Sequence, residues 1–413
     1  MSNGWTGGQY SLYRAVFGVY LLIHFVALVP WGPEIFSNTG VLPSADSSPF
    51  LYLFPNLLAL SDSPATVTAT LIAATVASVF FTIGYHDRFA ALILWYILSA
   101  LFGRNPLISN PSLPFVGWLL IAHALLPSAP YGSWRARGRV DPAGDWRMPS
   151  AIFAAAWIVM SVGYSYSGYT KLVSPSWVDG TALSRIFDNP LARPGILRDL
   201  AASLPTSLLQ WMTWGTLALE LLYAPLALVR AVRPWIWLAM TGLHIGLMML
   251  IDFADLSFAM IVLHLFTFNP AWIRAARAGT TDLVFYDGSC GLCHRAVRFF
   301  LAEDGSGSAF RFAPLGGETF EHNFSAKERD GLPESVVVRT ADGATKVESD
   351  AALHLLGRLG GVWRVLAGMG RLVPRQIRDA VYGAIALTRY RLFTRATQAC
   401  PILPPALRER FLP

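Results

Sequence analysis

The chain has 413 residues, 54% hydrophobic and 14% charged, with a formal net charge of +6. Soluble globular chains carry about 25% charged residues, so this composition excludes a wholly water-soluble protein and predicts an integral membrane protein of bacterial type. Its basic residues, nearly all arginine, are scattered or flank apolar runs, which points to membrane topology and anionic headgroups and away from nucleic acid.

Residues 1–278 hold nearly all the long apolar runs, whereas 279–413 have ordinary soluble composition, so two domains are expected to meet near 278/279. The N-terminus carries no basic n-region or small-residue cleavage site, and the first run is expected to stay as a helix. Runs able to cross about 30 Å of hydrocarbon fall near 12–30, 65–84, 89–103, 113–127, 150–172, 207–229, 233–251 and 253–268. The fold class is thus a multi-pass α-helical membrane domain of about eight helices followed by an α/β domain. With the N-terminus inside, the inner side receives ten arginines, Arg14, Arg88, Arg135, Arg230 and Arg277 among them. The outer side receives Arg104, Arg185, Arg193 and Arg198. That bias predicts an inner-membrane protein with both termini cytoplasmic.

Ionisable residues within these runs are few: His24, His123, Lys171, Glu220, His244 and His264. Such groups are costly in lipid and face a protein interior or a cavity. Glu220 and His244 lie near mid-helix and could share one polar layer, or each could simply bond a neighbouring helix. Lys171, alone among the first 326 residues as a lysine, ends the polar stretch 165–170. It is either an interfacial anchor or a partly desolvated amine able to act as a base.

Ser167-Gly168-Tyr169-Thr170-Lys171-Leu172 and Trp177-Val178-Asp179-Gly180-Thr181-Ala182 resemble the signature of HTTM domains, the membrane domain of vitamin K-dependent gamma-carboxylases. Tyr13–Gly18, the stretch Arg104–Asn110 and His244 within Gly242–Gly246 are similar to that domain too. The resemblance implies that Lys171 is a base linked to oxidation of a reduced quinone; a quinone-type lipid is the expected ligand of Lys171, Glu220 and His244. Two features depart from it: Asn105-Pro106 and Asn110-Pro111 stand where an Asn-His pair is expected, and the large lumenal part that captures a protein substrate is missing.

From Thr281 the period changes. Leu283–Tyr286 reads as a short buried strand, Asp287-Gly288-Ser289 as a turn, and Ser289 suits the N-cap of the helix that follows. Ala309–Ala313 alternates like a second strand, and 335–339 with 345–348 form a hairpin around Asp342-Gly343. Helices are expected at about 349–359, 362–371 and 375–393. This order is that of a thioredoxin-like domain, in which a CxxC pair reads as a redox motif. Cys290 falls where orphan N–H groups and the helix dipole favour the attacking thiolate, and Cys293 stands one turn on to resolve a mixed disulfide. Asp287 could relay a proton or simply bond its own turn. Pro333 is a candidate cis-proline, although a trans proline opening a strand is commoner.

Other readings of the pair are weaker. Cys290-Gly291-Leu292-Cys293-His294 fits a haem attachment pattern, but between a strand and an amphipathic helix. A zinc site wants four ligands, with Cys400, His294, His322 and His354 alone left to complete it, so no metal is expected. The cysteines could also be small buried residues. Tyr286–Cys293, Phe310–Leu315, Ser349-Asp350-Ala351 and Tyr390-Arg391-Leu392-Phe393 resemble the DCC family of thiol–disulfide oxidoreductases across nearly all of 282–413. That resemblance implies a redox role for Cys290 and Cys293, with a thiol or disulfide partner and membrane lipid as the expected contacts. The alternatives are lysine-based carboxylase- or epoxidase-like chemistry on a quinol or lipid, and a lipid- or solute-transport protein or scaffold without enzymatic activity.

Overall fold

A computed structural model of the chain describes residues 3–108, 110–252, 254–275, 280–333, 335–392 and 404–413. The boundary at 278/279, Arg277, Phe393 and Cys400 lie outside the described residues. Contacts divide the chain into two compact units. One gathers 13–126 and 149–268, and the other gathers 3–12, 127–148 and 269–413. The second unit is thus larger than the stretch that composition sets apart, because two earlier segments pack within it; Tyr10, for instance, stacks on Trp146 with ring centroids 5.1 Å apart.

The first unit is helical. Helices lie where the apolar runs predict them: α1 (Gly7–Leu28), α2 (Pro64–Ile83), α3 (Asp87–Arg104), α4 (Leu113–Leu125), α5 (Ser150–Lys171), α6 (Thr206–Leu221), α7 (Tyr223–Leu228), α8 (Arg233–Leu250) and α9 (Ala254–Thr267). Short helices that the runs do not predict stand between them at Gly32–Phe36, Leu57–Leu60, Pro175–Val178, Ala182–Phe187 and Ile196–Ala202. Among the described residues three of them, α1, α2 and α5, are long and apolar enough to cross a membrane. Local signals set the ends of α2. Ser63 caps its start by accepting from Thr66 N, Pro64 occupies the first turn, and Gly84 ends it at φ +73°. Within α2 the hydroxyls of Thr68, Thr70, Thr75, Ser78 and Thr82 each donate to the carbonyl four residues back. A hydroxyl satisfied by its own helix needs no water.

The run expected as one helix at 207–229 is broken at Leu222. Pro225 is the cause: it has no N–H to give the Leu221 carbonyl four residues back. Ser165 of α5 supplies the missing donor, its Oγ lying 3.0 Å from Leu221 O, and accepts from Ala224 N at 3.0 Å. Gly168, one turn further along α5, permits this approach, since a Cβ there would stand 2.6 Å from Leu221 N.

The second unit is built on a four-stranded mixed sheet of order β2-β1-β3-β4. β1 (Asp282–Tyr286) pairs parallel with β2 (Phe310–Pro314) and antiparallel with β3 (Val337–Arg339), which forms a hairpin with β4 (Thr345–Val347). Parallel neighbours need a crossover, provided by α10 (Gly291–Glu303). The period-2 alternation sends Val284, Tyr286, Phe310 and Phe312 to one face, against Val297, Phe300 and Leu301 of α10. Phe285, Ala313 and Val337 point to the other face, against Phe320 and Phe324. Each buried phenylalanine contributes roughly 1.5–3 kcal/mol. α11 (Glu318–Asn323) and α12 (Ala326–Asp330) follow β2, and α13 (Glu348–Leu359), α14 (Gly361–Arg371) and α15 (Arg375–Leu392) follow β4.

At the far end of α10 from the cysteines, Glu303 is buried, only 2% exposed. It accepts from Gly8 N at 2.8 Å, from Trp363 Nε1 at 2.6 Å and from the Thr6 hydroxyl. It thereby caps the N-terminus of α1, whose first amides have no partner within the helix. Burial pushes its carboxyl above the usual range, against the hydrogen bonds from Thr6, Trp363 and Gly8. A raised carboxyl pKa gives stability that is complete below the unfolded value of about 4.3 and is lost as pH rises through the folded value. Glu303→Gln cannot ionise, so its unfolding temperature should rise relative to the wild type as pH rises above about 4.3; equal slopes would show that burial does not dominate.

Candidate functional site

The loop from β1 to α10 holds the two thiols. Asp287 Oδ1 accepts from Ser289 N at 2.8 Å and from Ser289 Oγ at 2.7 Å, which closes the turn, and Cys290 N donates to Asp287 O at 3.2 Å. Ser289 is therefore engaged in the turn, and the N-cap position it was expected to hold belongs to Cys290. The shift has a physical cause: a serine hydroxyl tied back to Asp287 cannot also reach the first amides of α10. Asp287 fills the turn role, with its Oδ2 also 3.8 Å from Arg389 Nη2 of α15.

Cys290 and Cys293 are both free thiols. Cys290 is fully buried and Cys293 half-buried against the sheet core. Burial, foremost, pushes the Cys293 thiol up to about 12, with the hydrogen bond and charge of Cys290 adding to it and a backbone hydrogen bond of Asp287 opposing it. His294 is half-buried and its ring bonds the backbone, not a thiol: its Nε2 donates to Gly288 O at 2.8 Å, and its ring meets Tyr286 edge-on at 5.9 Å. Among the described residues every peptide bond is trans, Leu332–Pro333 included, so Pro333 is not a cis-proline. No cluster of three metal-ligating side chains occurs among the described residues.

Helix α15 covers this edge of the domain, and sequence reasoning did not anticipate its role. Tyr382 accepts from Val336 N at 3.2 Å, Arg378 donates to Asp350 at 2.8 Å, and Asp379 accepts from Ser349. Together with Arg389 beside Asp287, these give the helix a polar inner face.

The helical unit contains a second constellation. Lys171 Nζ lies 2.6 Å from Glu220 Oε2 and 2.7 Å from Ser167 Oγ, and 5.1 Å from the centre of the Trp177 ring. Its location in the last turn of α5 also suits the helix dipole. Glu220 and His244 do not bond each other. His244 instead shares the Tyr164 hydroxyl with His264, at 2.7 and 2.8 Å. One hydroxyl proton serves only one of these rings, so the other histidine must donate its own Nε2–H. Neither Nδ1 meets a hydrogen-bond partner among the described residues. Tyr164, Gly168 and Lys171 recur at helical spacing on α5, a signal that could have linked Tyr164 to the others.

A mixed α/β domain with paired thiols at a helix N-terminus defines a redox-type class. Residues 284–395 match the family described as DCC1-like thiol-disulfide oxidoreductase. Over 134 residues the chain is 34% identical to the uncharacterized protein YuxK of Bacillus subtilis (strain 168), a stretch covering 32% of this chain and 93% of that protein. The chain therefore belongs, through its C-terminal domain, to the DCC1-like thiol–disulfide oxidoreductase family. No solved structure matches it significantly.

Cys290→Ala removes the thiol neighbour that raises Cys293 but leaves the larger effect of burial. The alkylation pKa of Cys293, read by mass spectrometry against pH, should fall from about 12 yet stay above the ordinary thiol value of about 8.5. An unchanged value would show that the two thiols are independent.

Proposed function

We propose that the chain is a membrane-anchored thiol–disulfide oxidoreductase whose Cys290 and Cys293 exchange two electrons with a thiol or disulfide partner. The observation that carries this reading is the pair of free thiols flanking the first turn of the helix after β1, inside the matched residues. The strand order β2-β1-β3-β4 with a parallel first pair supports the thioredoxin-like assignment. Three helices able to cross a membrane support anchoring, and the arginine bias supports a cytoplasmic redox domain.

In the reducing direction, the Cys290 thiolate attacks one sulfur of a substrate disulfide, forms a mixed disulfide and releases the first substrate thiolate. Cys293 then gives up its proton and attacks the Cys290 sulfur, which closes the Cys290–Cys293 disulfide and releases the second. The substrate gains two electrons and two protons, and the dithiol loses the same. Cys293 holds its proton chiefly through burial, and formation of the mixed disulfide removes the smaller contribution of the Cys290 thiol. A reducing cytoplasm restores the dithiol. Since Cys290 is fully buried, the structure around it must open for a protein disulfide to reach it.

The Lys171–Glu220 pair favours a second reading. Lys171, with Glu220 and the Tyr164–His244–His264 group, would hold a quinone-type lipid or act on a quinol, and the cysteines would exchange electrons with it.

Titration of the purified chain against dithiol buffers, with alkylation as readout, should give one reversible two-electron couple near or below about −230 mV. Cys290→Ser and Cys293→Ser should each lower disulfide reduction by about a hundredfold or more, and Lys171→Ala should not. A pair that never closes under any poise sinks the proposal. Activity lost on Lys171→Ala but kept in both thiol variants transfers the chemistry to the helical unit.

A further inference from the structure

Helix α15 is inverted relative to a helix packed on a water-soluble domain. Its inward positions are polar, Arg378, Asp379, Tyr382 and Arg389 among them. Its outward positions Ile377, Val381 and Ile385 recur every four residues and are 50–56% exposed. The preceding helix α14 also exposes Val365 and Met369, and Leu372 just beyond its end, at 39, 60 and 85%. Exposed apolar residues repeated along one helix face mark an interaction surface. Residues 361–392 also contain six arginines against one acidic residue, Asp379, and no lysine. Arg364 and Arg371 are exposed beside these apolar positions; Arg375, also exposed, pairs with Asp379 at 3.0 Å and Asp350 at 3.6 Å, and Arg378 and Arg389 face inward.

We infer that α14 and α15 form an interfacial docking surface for an anionic lipid bilayer, with the apolar stripe in the acyl boundary and the arginines at the headgroups. The arginines prevent α15 from spanning, whereas an apolar face with basic flanks suits a helix lying in the plane of the interface. The same chain supplies helices able to cross that bilayer and so holds the domain within reach. Exposed apolar residues on those helices, such as Ile23 at 64% and Ile158 at 60%, have the same character as the stripe. A protein partner would be matched equally well by the apolar residues but gives no account of the exposed Arg364 and Arg371 beside them.

The test uses the full chain in lipid nanodiscs, with the photoreactive residue p-benzoylphenylalanine at Val381 or, as control, at Glu321 on α11. In nanodiscs containing phosphatidylglycerol, Val381 should give lipid adducts and Glu321 should not. The Val381 adduct should fall in phosphatidylcholine alone, and Arg371→Gln should lower the preference for anionic lipid about fivefold. Equal labelling at the two positions overturns the inference, as does a crosslink to a second copy or to the chain's own helical unit. Absence of any adduct at Val381 overturns it too. The readout is independent of thiol chemistry: a chain whose cysteines never close a disulfide would still give the adduct.

Discussion

The parallel pairing of β1 with β2 governs the redox domain. Antiparallel strands can join through two residues, but parallel ones must be bridged by a segment that returns across the sheet. Here α10 is that segment, and its start must lie at the carboxyl end of β1. The turn Asp287–Ser289 is all that separates Tyr286 from Cys290. The thiols therefore occupy the sheet edge at the end of β1, where a helix N-terminus and a short loop converge. The opposite end of α10 is fixed by Glu303, so the crossover is held at both ends.

Much of this was legible before any coordinates. The continuous apolar run Leu283–Tyr286, the alternation of Ala309–Ala313, Asp342-Gly343 between two short strands, and the helices expected after 348 each correspond to an observed element. These are local signals, written within a few residues of where they act. What was not legible is tertiary. Nothing near Ser289 announces that its hydroxyl is claimed by Asp287, and nothing near Tyr164 announces that His244 and His264 converge on it from 80 and 100 residues away. Likewise the break at Leu222 follows from Pro225, but its repair by Ser165 could be seen only once α5 and α6 were packed.

Helix α15 joins two themes that the sequence keeps apart. Read as a string, 375–393 is an amphipathic helix, and the ordinary expectation is that its apolar side faces the domain. The polar side faces it instead, because Asp287, Ser349, Asp350 and the Val336 amide offer hydrogen-bonding and ionic partners that an apolar stripe would leave unmet. The helix that pairs with the Asp287 turn thus turns its apolar side outward.

The repair at Pro225 has an evolutionary consequence. Ser165 and Pro225 are sixty positions apart in sequence, yet each makes sense only with the other: the proline bares the Leu221 carbonyl and the serine hydroxyl covers it. A lineage that regains an amide at 225 releases Ser165 to drift towards alanine, whereas one that loses the serine first leaves a bare carbonyl where water is scarce. The two positions should be inherited as a pair, with change entering through the proline.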